Sequence, residues 1–200
     1  MIAEGYSLRE KKHAKTKIAI MDAFIKRLEK TRFDDISIRE ICKSVEISEG
    51  TFFNYFSEKI DIIDYYSYLL FLKIFWKTQN EVPPGKYLAA IESVFKNVAT
   101  ELNNINIIYQ MISVIIMQRE RPKAMVISNS ERHFAFPDYK EIEDIPVVFI
   151  DDFLEKCVKE AVKNGELPKK TNVDDVLVSL LTILGGTLLS TKFTNIKNQA

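Results

Sequence analysis

The chain has 200 residues, of which 46% are hydrophobic and 28% are charged. This length allows one large domain or a small domain fused to a larger one, and the composition excludes an intrinsically disordered chain. Lys and Arg together number 28, as do Asp and Glu, so the net charge indicates no partner and any electrostatic function depends on local charge.

The fold class is expected to be all-α, because glycine and proline are few and strand-like alternation is hard to find. The first part of the chain predicts four helices, over residues 8–30, 38–45, 49–55 and 58–78. Ser37 and Glu40 have capping-box spacing, which marks the start of the second helix. Ser48 and Ser57 are each placed to cap the helix that follows them.

The dipeptide Pro83-Pro84 ends this part, since proline cannot continue a helix. The rest of the chain predicts longer helices, over residues 86–102, 105–119, 145–163 and 173–191. Pro146 fits the first turn of the third of these helices, and Gly165 fits its C′ position. Residues 122–143 have weak periodicity and predict a loop, or a loop that encloses a short helix over residues 123–134.

No secretory or membrane segment is predicted. Cys42 and Cys157 lack CxxC spacing and lie on apolar helix faces, so they are expected to be buried thiols in a reducing cytoplasm. The first residues lack the apolar core of a signal peptide. The longest uncharged run, residues 176–191, is shorter than the roughly 20 residues that a membrane span needs. We therefore expect a soluble, cytoplasmic protein.

The stretch GTFFNYF, residues 50–56, carries four aromatic side chains that one helix cannot bury on a single face. With Ser48 as the N-cap, Phe52 and Phe56 lie four residues apart and are expected in the core. A different face carries small or hydrogen-bonding residues and is followed by a lysine in the next helix: Gly50, Thr51, Asn54, Tyr55 and Lys59.

Such a face suits the major groove of DNA. Glycine permits a close approach of the backbone, Thr51 and Tyr55 can donate to phosphate oxygens, and Asn54 offers a donor and an acceptor to a base edge. The alternative is a capped surface turn whose aromatic side chains are half-buried against a neighbouring helix. Two short helices joined by a tight turn favour a helix-turn-helix.

Residues 36–63, ISIREICKSVEISEGTFFNYFSEKIDII, closely resemble the DNA-binding signature of TetR-family transcriptional regulators. That signature reads approximately as Thr/Ser, an Ile-Ala helix, Ala-Gly-Val-Ser, then Gly-Thr-aromatic-Tyr-x-Tyr-Phe-x-x-Lys. The matching positions are Ser37, Ile41, Ser48, Gly50, Thr51, Phe52, Tyr55, Phe56 and Lys59. The rest of the chain is similar only loosely, in NGEL at residues 164–167 and in a final Leu-rich helix with a Gly pair.

The resemblance implies that phosphates are contacted by Ser37, Thr51, Tyr55 and Lys59. It also implies that Glu49, Gly50, Phe53 and Asn54 lie near base edges, and we add Arg39 and Ser48 to the predicted interface. Three positions depart from the family pattern: Phe53 replaces a tyrosine, Glu49 replaces a basic or polar residue, and Glu46 replaces the turn glycine. Glu46 must therefore adopt a φ that glutamate tolerates, or be slightly strained.

Local charge differs between the two parts of this segment. Residues 33–64 carry eight acidic and three basic side chains, which counts against a generic nucleic-acid binder. Residues 8–32 carry nine basic and three acidic side chains. We therefore expect the start of the first helix to contact the phosphate backbone, as the resemblance also implies.

Effector domains of this family bind a small molecule among their helices and dimerise through the last two. An apolar pocket is predicted from Phe75, Trp76, Tyr109, Met111 and Met117, although aromatic and methionine stripes at helical spacing are more often plain core. A dimer interface is predicted on the apolar stripes of the last two helices, at Phe153, Leu154, Cys157, Leu177, Leu181, Leu184 and Leu188.

We predict a helix-turn-helix DNA-binding domain over residues 1–60 and an effector-binding and dimerisation domain over residues 61–200. The expected function is that of a homodimeric repressor that a small hydrophobic or aromatic ligand releases from a palindromic double-stranded operator, without cofactor or metal. An enzyme is disfavoured because HExxH, GxSxG, P-loop and clustered carboxylates are all missing and His133 is isolated. The alternative is an all-helical protein–protein adaptor that does not bind DNA.

Overall fold

A computed structural model describes residues 5–101, 104–117 and 125–197, and within these ranges the regular structure is entirely helical, as predicted. The described helices are α1 (Leu8–Leu28), α2 (Ile38–Ser44), α3 (Glu49–Phe53), α4 (Lys59–Glu81), α5 (Tyr87–Glu101), α6 (Ile105–Met117), α7 (Asn129–Ala135), α8 (Ile150–Lys163) and α9 (Val173–Lys197). Two 3₁₀ turns, Phe33–Asp35 and Ile142–Asp144, follow α1 and α7. The predicted helix ends at Leu102 and Arg119 lie outside the described residues, as does the start of the predicted loop.

The chain divides into two compact units. Unit 1 comprises Met1–Leu69 and Asn106–Val147, and unit 2 comprises Leu70–Ile105 and Val148–Ala200. Helix α4 therefore begins in unit 1 and ends in unit 2. The predicted division into residues 1–60 and 61–200 differs from these units at residues 61–69 and at residues 106–147. The second segment belongs to unit 1 because α7 packs on α1.

Helix α1 begins at a capping box. The hydroxyl of Ser7 accepts from the backbone N–H of Glu10 at 3.2 Å, and the carboxylate of Glu10 accepts from the N–H of Ser7 at 2.8 Å. The helix buries one apolar stripe, formed by Ala14, Ile20, Met21, Phe24, Ile25 and Leu28. The predicted helix is confirmed and ends at Leu28 rather than at residue 30.

Helices α2 and α3 form where they are predicted, although α3 ends at Phe53 rather than at residue 55, and they are joined by residues 45–48. Ser37 is the N-cap of α2, but its side chain makes no capping hydrogen bond, so the predicted Ser37–Glu40 capping box is wrong. Helix α2 is held instead by its inner face, because Ile41 and Cys42 are buried. Ser48 does cap α3, since its hydroxyl accepts from the N–H of Thr51 at 3.0 Å.

Helix α7 interrupts the segment between α6 and α8. Its capping box pairs Ser128 with Glu131, whose carboxylate accepts from the N–H of Ser128 at 2.7 Å. The guanidinium of Arg132 then donates to three carbonyl oxygens, at 3.2, 2.6 and 2.8 Å, those of Ile127, Glu143 and Ile145. The described part of this segment is thus a loop that encloses a short helix, and that helix begins at Asn129 rather than near the predicted residue 123.

The sequence predicts the C-terminal end of α8 correctly but not its start. Gly165 has a φ of +79°, and the N–H groups of Gly165 and Glu166 donate to carbonyl oxygens of the last turn at 3.2 and 2.9 Å. This is a Schellman end, so the predicted role of Gly165 is confirmed. The predicted start near residue 145 is wrong, because α8 begins at Ile150. The β-branched and aromatic run VVF that follows Pro146 forms helix poorly.

Helix α9 is longer than the sequence indicated. It covers Val173–Lys197, whereas the prediction ended at residue 191. Its stretch Val173–Ser190 has a mean hydropathy of 1.6 and is only 6% buried. By length and composition alone this helix could therefore cross a membrane, and no other helix of the described residues meets those criteria.

Both cysteines are buried free thiols, as predicted. Cys42 lies on the inner face of α2 and Cys157 on that of α8. Burial raises the pKa of the Cys42 thiol, and it raises the pKa of Cys157 to about 11. Neither thiol is ionised near neutral pH, so neither has the reactivity of a nucleophile.

Candidate nucleic-acid interface

Helix α3 has a buried face and an exposed face. Phe52 and Phe56 are fully buried, as expected. The exposed face, which we call the reading face, consists of Glu49, Gly50, Phe53 and Asn54. A β-carbon added at Gly50 would meet only the hydroxyl of Ser48, at 3.9 Å, so no other described residue covers this position.

A pair of hydroxyls lies at the start of α3. Ser48 Oγ and Thr51 Oγ1 are 2.8 Å apart, and Ser48 Oγ also accepts from the backbone N–H of Thr51. The bond between the hydroxyls uses one of their two protons, whichever of the two is the donor. One O–H is therefore left to donate to an outside acceptor such as a phosphate oxygen.

Tyr55 is half-buried because its ring packs on α1. Its centroid lies 4.8 Å from that of the His13 ring, with the two planes tilted by 42°. The contact connects the end of α3 to the N-terminal half of α1. His13 is not among the predicted site residues, because a single polar residue on an exposed helix face carries no spacing signal.

Two further predicted residues lie at the start of α2. Ser37 and Arg39 are exposed, and their side chains make no hydrogen bond or ion pair with any described residue. The same holds for the side chains of Glu49 and Asn54 on α3. All four side chains can therefore reach a ligand without first breaking a contact within the protein.

The structure corrects the role of Lys59. Its ammonium donates hydrogen bonds of 3.0, 3.0 and 3.2 Å to three backbone carbonyls in the connection between α1 and α2, those of Phe33, Asp34 and Ile36. An ammonium has three N–H donors, so none is left for a phosphate. Lys59 therefore fastens this connection to the first turn of α4, and it does not protrude as predicted.

Lys59→Met is expected to lower the free energy of unfolding by about 1–3 kcal/mol, because three carbonyls, two of them half-buried, lose their donor while the aliphatic stem is kept. Urea denaturation measures the change. Lys43→Met, at an exposed lysine of α2, is the control and should change stability by less than about 0.5 kcal/mol. In DNA binding, Lys59→Met should keep the wild-type salt dependence; a slope lower by about one unit would restore Lys59 as a phosphate contact.

Glu46 occupies the turn between α2 and α3 with a left-handed backbone. Its φ is +56°, and the next N–H, that of Ile47, donates to the carbonyl of Cys42 at 3.0 Å. This arrangement closes α2 in the way that a C′ glycine closes a helix. Glu46 thus has a left-handed backbone conformation, which is unfavourable for a residue with a β-carbon.

Glu46→Gly is expected to raise the free energy of unfolding by about 0.5–1 kcal/mol. Relief of about 1–2 kcal/mol of left-handed strain exceeds the roughly 0.5–1 kcal/mol that glycine loses in chain entropy. Lys43→Gly, in the right-handed backbone of α2, is the control and should destabilise. Thermal unfolding of both variants measures the difference, and a Glu46→Gly protein that melts below the wild type would contradict the account.

The cations of α1 fall into two groups. Lys17 Nζ lies 2.6 Å from Glu131 Oε1, and the two side chains are only 12% and 3% exposed. The guanidinium of Arg27 donates to three acceptors, the carbonyl oxygens of Ala23 and Glu40 and the hydroxyl of Ser44. These two cations hold α1 to α7 and α2. The exposed cations near the N-terminal end of α1 are Arg9, Lys12 and Lys15.

Glu131 brings a carboxylate from α7 into the core of unit 1. Its partner Lys17 also lies 4.3 Å over the ring of Tyr65, which is fully buried. Burial, and then the Glu131 carboxylate, raise the pKa of Tyr65 far above its usual range. Burial alone would raise the pKa of Glu131, but Lys17 and the N–H of Ser128 outweigh it and the pKa is lowered. Glu131 is thus ionised and paired at neutral pH.

The predicted pocket residues do not belong to one unit. Phe75 and Trp76 lie in unit 2, whereas Tyr109, Met111 and Met117 lie in unit 1. Phe75 is buried, with its ring stacked on that of Phe153 at 4.2 Å, and Met117 is 83% exposed. For Phe75 the geometry is that of core packing, which is the alternative to a pocket wall.

A cavity of about 410 Å³ in unit 1 includes one of those five residues, Met117. Its other walls are Gln110, Ser113 and Val114 of α6 and residues 32–34 of the connection between α1 and α2. Gln110 also fastens this connection, since its amide accepts from the N–H of Phe33 at 3.3 Å and donates to the carbonyl of Thr31 at 3.2 Å. The cavity therefore borders the same connection that Lys59 holds.

The predicted dimer residues behave differently on α8 and α9. Leu154 and Cys157 are buried within their own unit, where α8 packs on α5 and α9, and Phe153 stacks on Phe75. For Leu154 and Cys157 the predicted contact with a partner chain is therefore wrong, whereas for the half-buried Phe153 it stays a prediction. On α9 the predicted leucines, Leu177, Leu181, Leu184 and Leu188, are half-buried, and Val178, Ile183 and Leu189 are exposed. Uncovered apolar surface thus lies on α9.

Comparison with protein-family models, with curated proteins and with solved structures finds no match to this chain. The resemblance to TetR-family regulators therefore rests on the motif of residues 36–63. No relative supplies a function, so the chemistry of the exposed side chains on α1, α2 and α3 has to supply it.

Proposed function

We propose that this protein is a sequence-specific DNA-binding transcriptional regulator. The observation that carries the proposal is the reading face, which is exposed on a capped short helix and whose hydrogen-bonding side chains, Glu49 and Asn54, have no hydrogen bond or ion pair within the described residues. In this proposal α2 and α3 act as a helix-turn-helix, with α3 in the major groove and α2 across the backbone.

Phosphate contacts in this proposal surround the reading face. The spare hydroxyl proton of the Ser48–Thr51 pair and the phenol of Tyr55 donate from α3, while Ser37 and Arg39 act from α2. The exposed cations of α1 join them, since the contact between Tyr55 and His13 keeps the N-terminal half of α1 beside α3. Such contacts supply most of the affinity and make it sensitive to salt.

A second copy of the chain is the proposed cover for α9. An apolar helix that is only 6% buried over Val173–Ser190 needs further burial, and α9 carries a glycine pair, Gly185 and Gly186, at which an added β-carbon would meet nothing within 4 Å. Close approach of two such helices about a two-fold axis gives the symmetry that a palindromic operator requires. Because its target is DNA, we place the protein in the cytoplasm.

Repression, and release by a small hydrophobic ligand, are the regulatory mode that the resemblance implies. A ligand shifts a regulator between two forms only as far as its affinities for them differ. The residues predicted for an aromatic pocket are divided between the two units, so they do not define a site for an effector. We therefore propose DNA binding and dimerisation without assigning an effector.

Fluorescence polarisation with fragments of the source genome tests the proposal, and Gly50→Leu is the decisive variant. The added side chain has room in the free protein, so folding is unchanged, but it occupies the space that a base edge needs. Binding should weaken at least about tenfold, or about 1.4 kcal/mol. Ala89→Leu, at an exposed position of α5, is the matched control and should bind as the wild type does.

A protein–protein adaptor is the second candidate. The exposed Phe53 and the acidic balance of residues 33–64 favour it, because both suit a basic, apolar partner surface better than a polyanion. Absence of binding to every fragment at low salt, with a folded wild-type protein, would reject the DNA-binding proposal in favour of this candidate.

A further inference from the structure

Phe53 is unusual among the aromatic side chains of this protein. Of the tyrosine, phenylalanine and tryptophan side chains that the structure describes, it alone is exposed, with 49% of its surface accessible. Its ring is held edge-on against the ring of Phe52, with centroids 5.3 Å apart and planes at 85°. Phe53 is therefore a pre-oriented apolar surface at the centre of the reading face.

The rest of the reading face restricts which bases it can recognise. From residue 44 to residue 58 the chain contains no Lys or Arg, so α3 cannot make the commonest specific contact, a cation to guanine. One turn before Phe53 lies Glu49, whose carboxylate has no hydrogen bond or ion pair among the described residues. A carboxylate only accepts, and the base-edge donor that suits it is the N4 amine of cytosine.

Apolar readout in the major groove has a single target, the C5 methyl group of thymine. We propose that each operator half-site places a thymine methyl against the ring of Phe53 and a cytosine amine against the carboxylate of Glu49. The two residues are four apart, about 6 Å along the helix, so the two bases lie within about two base pairs of each other. This inference deepens the proposed function and rests on it.

In the proposed complex the carboxylate of Glu49 lies close to the negatively charged DNA, and two features offset the repulsion between them. The exposed cations of α1 lie on the helix that contacts α3 through His13 and Tyr55. A cytosine amine also compensates the carboxylate directly, whereas guanine and thymine offer no donor in the major groove and adenine places its N7 acceptor beside its N6 amine. Glu49 therefore acts mainly by rejecting wrong bases, as a buried unpaired carboxylate is costly.

The test begins with selection of binding sites from random duplex DNA by the full-length protein. The selected half-site should contain a thymine and a cytosine within about two base pairs. Replacing that thymine by deoxyuridine removes only the methyl group, and wild-type affinity should fall about fourfold per half-site, the factor for one buried methyl group. Phe53→Ala should bind both duplexes equally, and deoxyuridine at an unselected thymine is the control.

Glu49→Gln gives an independent readout. Glutamine pairs with adenine, so the selected cytosine position should change to adenine while the thymine position stays the same. Both substituted residues are exposed, and thermal unfolding should show both variants to be as stable as the wild type.

The outcomes separate the inference from the function. This assignment is overturned if the affinity for the selected site does not change when the thymine methyl is removed. It is also overturned if the Glu49→Gln protein still selects cytosine. Either outcome leaves the regulator proposal standing. If no sequence is enriched at all, both fall, and a protein partner for Phe53 replaces DNA.

Discussion

Glu131→Gln is expected to lower the free energy of unfolding by about 3–5 kcal/mol at neutral pH, because it leaves the ammonium of Lys17 nearly buried without a counter-charge. Lys17 is 12% exposed, and its distance to the Glu131 carboxylate is 2.6 Å. Glutamine keeps the shape of the side chain, and its amide oxygen can still accept from the N–H of Ser128. The loss of unfolding free energy therefore reports the contribution of the charge pair and not that of the packing of α7.

Urea denaturation of three variants tests this prediction. Lys17→Met should also destabilise, whereas the double variant Lys17→Met/Glu131→Gln should recover much of the loss, since it leaves no unpaired charge. The exposed pair of Glu155 and Lys159 on α8, at 2.8 Å, is the control, and Glu155→Gln should cost less than about 1 kcal/mol. Equal losses of unfolding free energy in Glu131→Gln and Glu155→Gln would show that the buried pair stabilises the protein no more than an exposed pair does.

The same pair gives a pH dependence of defined sign. The pKa of Glu131 is lowered in the folded protein, so its contribution is complete above the pKa of an unfolded glutamate, about 4.3, and is lost as the pH falls through the folded value. The stability difference between wild type and Glu131→Gln should therefore shrink on acidification below about pH 4. A difference that stays constant at acid pH would mean that the variant fails through packing.

Features set by neighbouring residues could be predicted from the sequence. The two faces of α3 follow from the spacing of Phe52 and Phe56, and the starts and ends of helices follow from Ser48 and Gly165. Each of these signals acts within one or two helical turns. The unusual turn at Glu46 was also visible, because glutamate stands where the family motif has glycine.

Features that depend on distant partners could not be predicted. Lys59 looked like a phosphate contact because its three carbonyl acceptors lie more than 20 residues earlier in the chain. Glu131 lies in a segment of weak periodicity, and only its capping-box spacing to Ser128 marked it. On α8, an apolar stripe shows that a face is buried and not whether its own chain or a partner covers it. Leu154 and Cys157 are covered by their own unit.

The separate DNA-binding domain predicted over residues 1–60 would lack Glu131. Lys17 would then lose the carboxylate that pairs with it and also the ring of Tyr65, over which its ammonium lies. For this reason α7 belongs to the folded unit that carries the reading face, although it follows α3 by many residues. Any change that loosens α7 is expected to loosen the start of α1, and with it the cations proposed to contact phosphates.

Val178→Glu is expected to abolish dimer formation and to weaken operator binding at least about a hundredfold, or about 2.7 kcal/mol. Val178 is 63% exposed in the protomer, so the change leaves the fold intact. At a two-fold interface it buries two carboxylates, each at a cost of several kcal/mol. A protomer alone then holds only one half-site, so it loses half of the phosphate and base contacts.

Ala89→Glu is the control, because it introduces the same charge at an exposed position of α5, away from α9. Sedimentation should show a monomer for Val178→Glu and a dimer for the wild type and for Ala89→Glu. Binding of the wild type to lipid vesicles, lost in Val178→Glu, would assign the apolar face of α9 to a membrane. A Val178→Glu protein that stays dimeric and binds DNA normally would move the interface elsewhere, since no two-fold contact through this face tolerates two unpaired carboxylates.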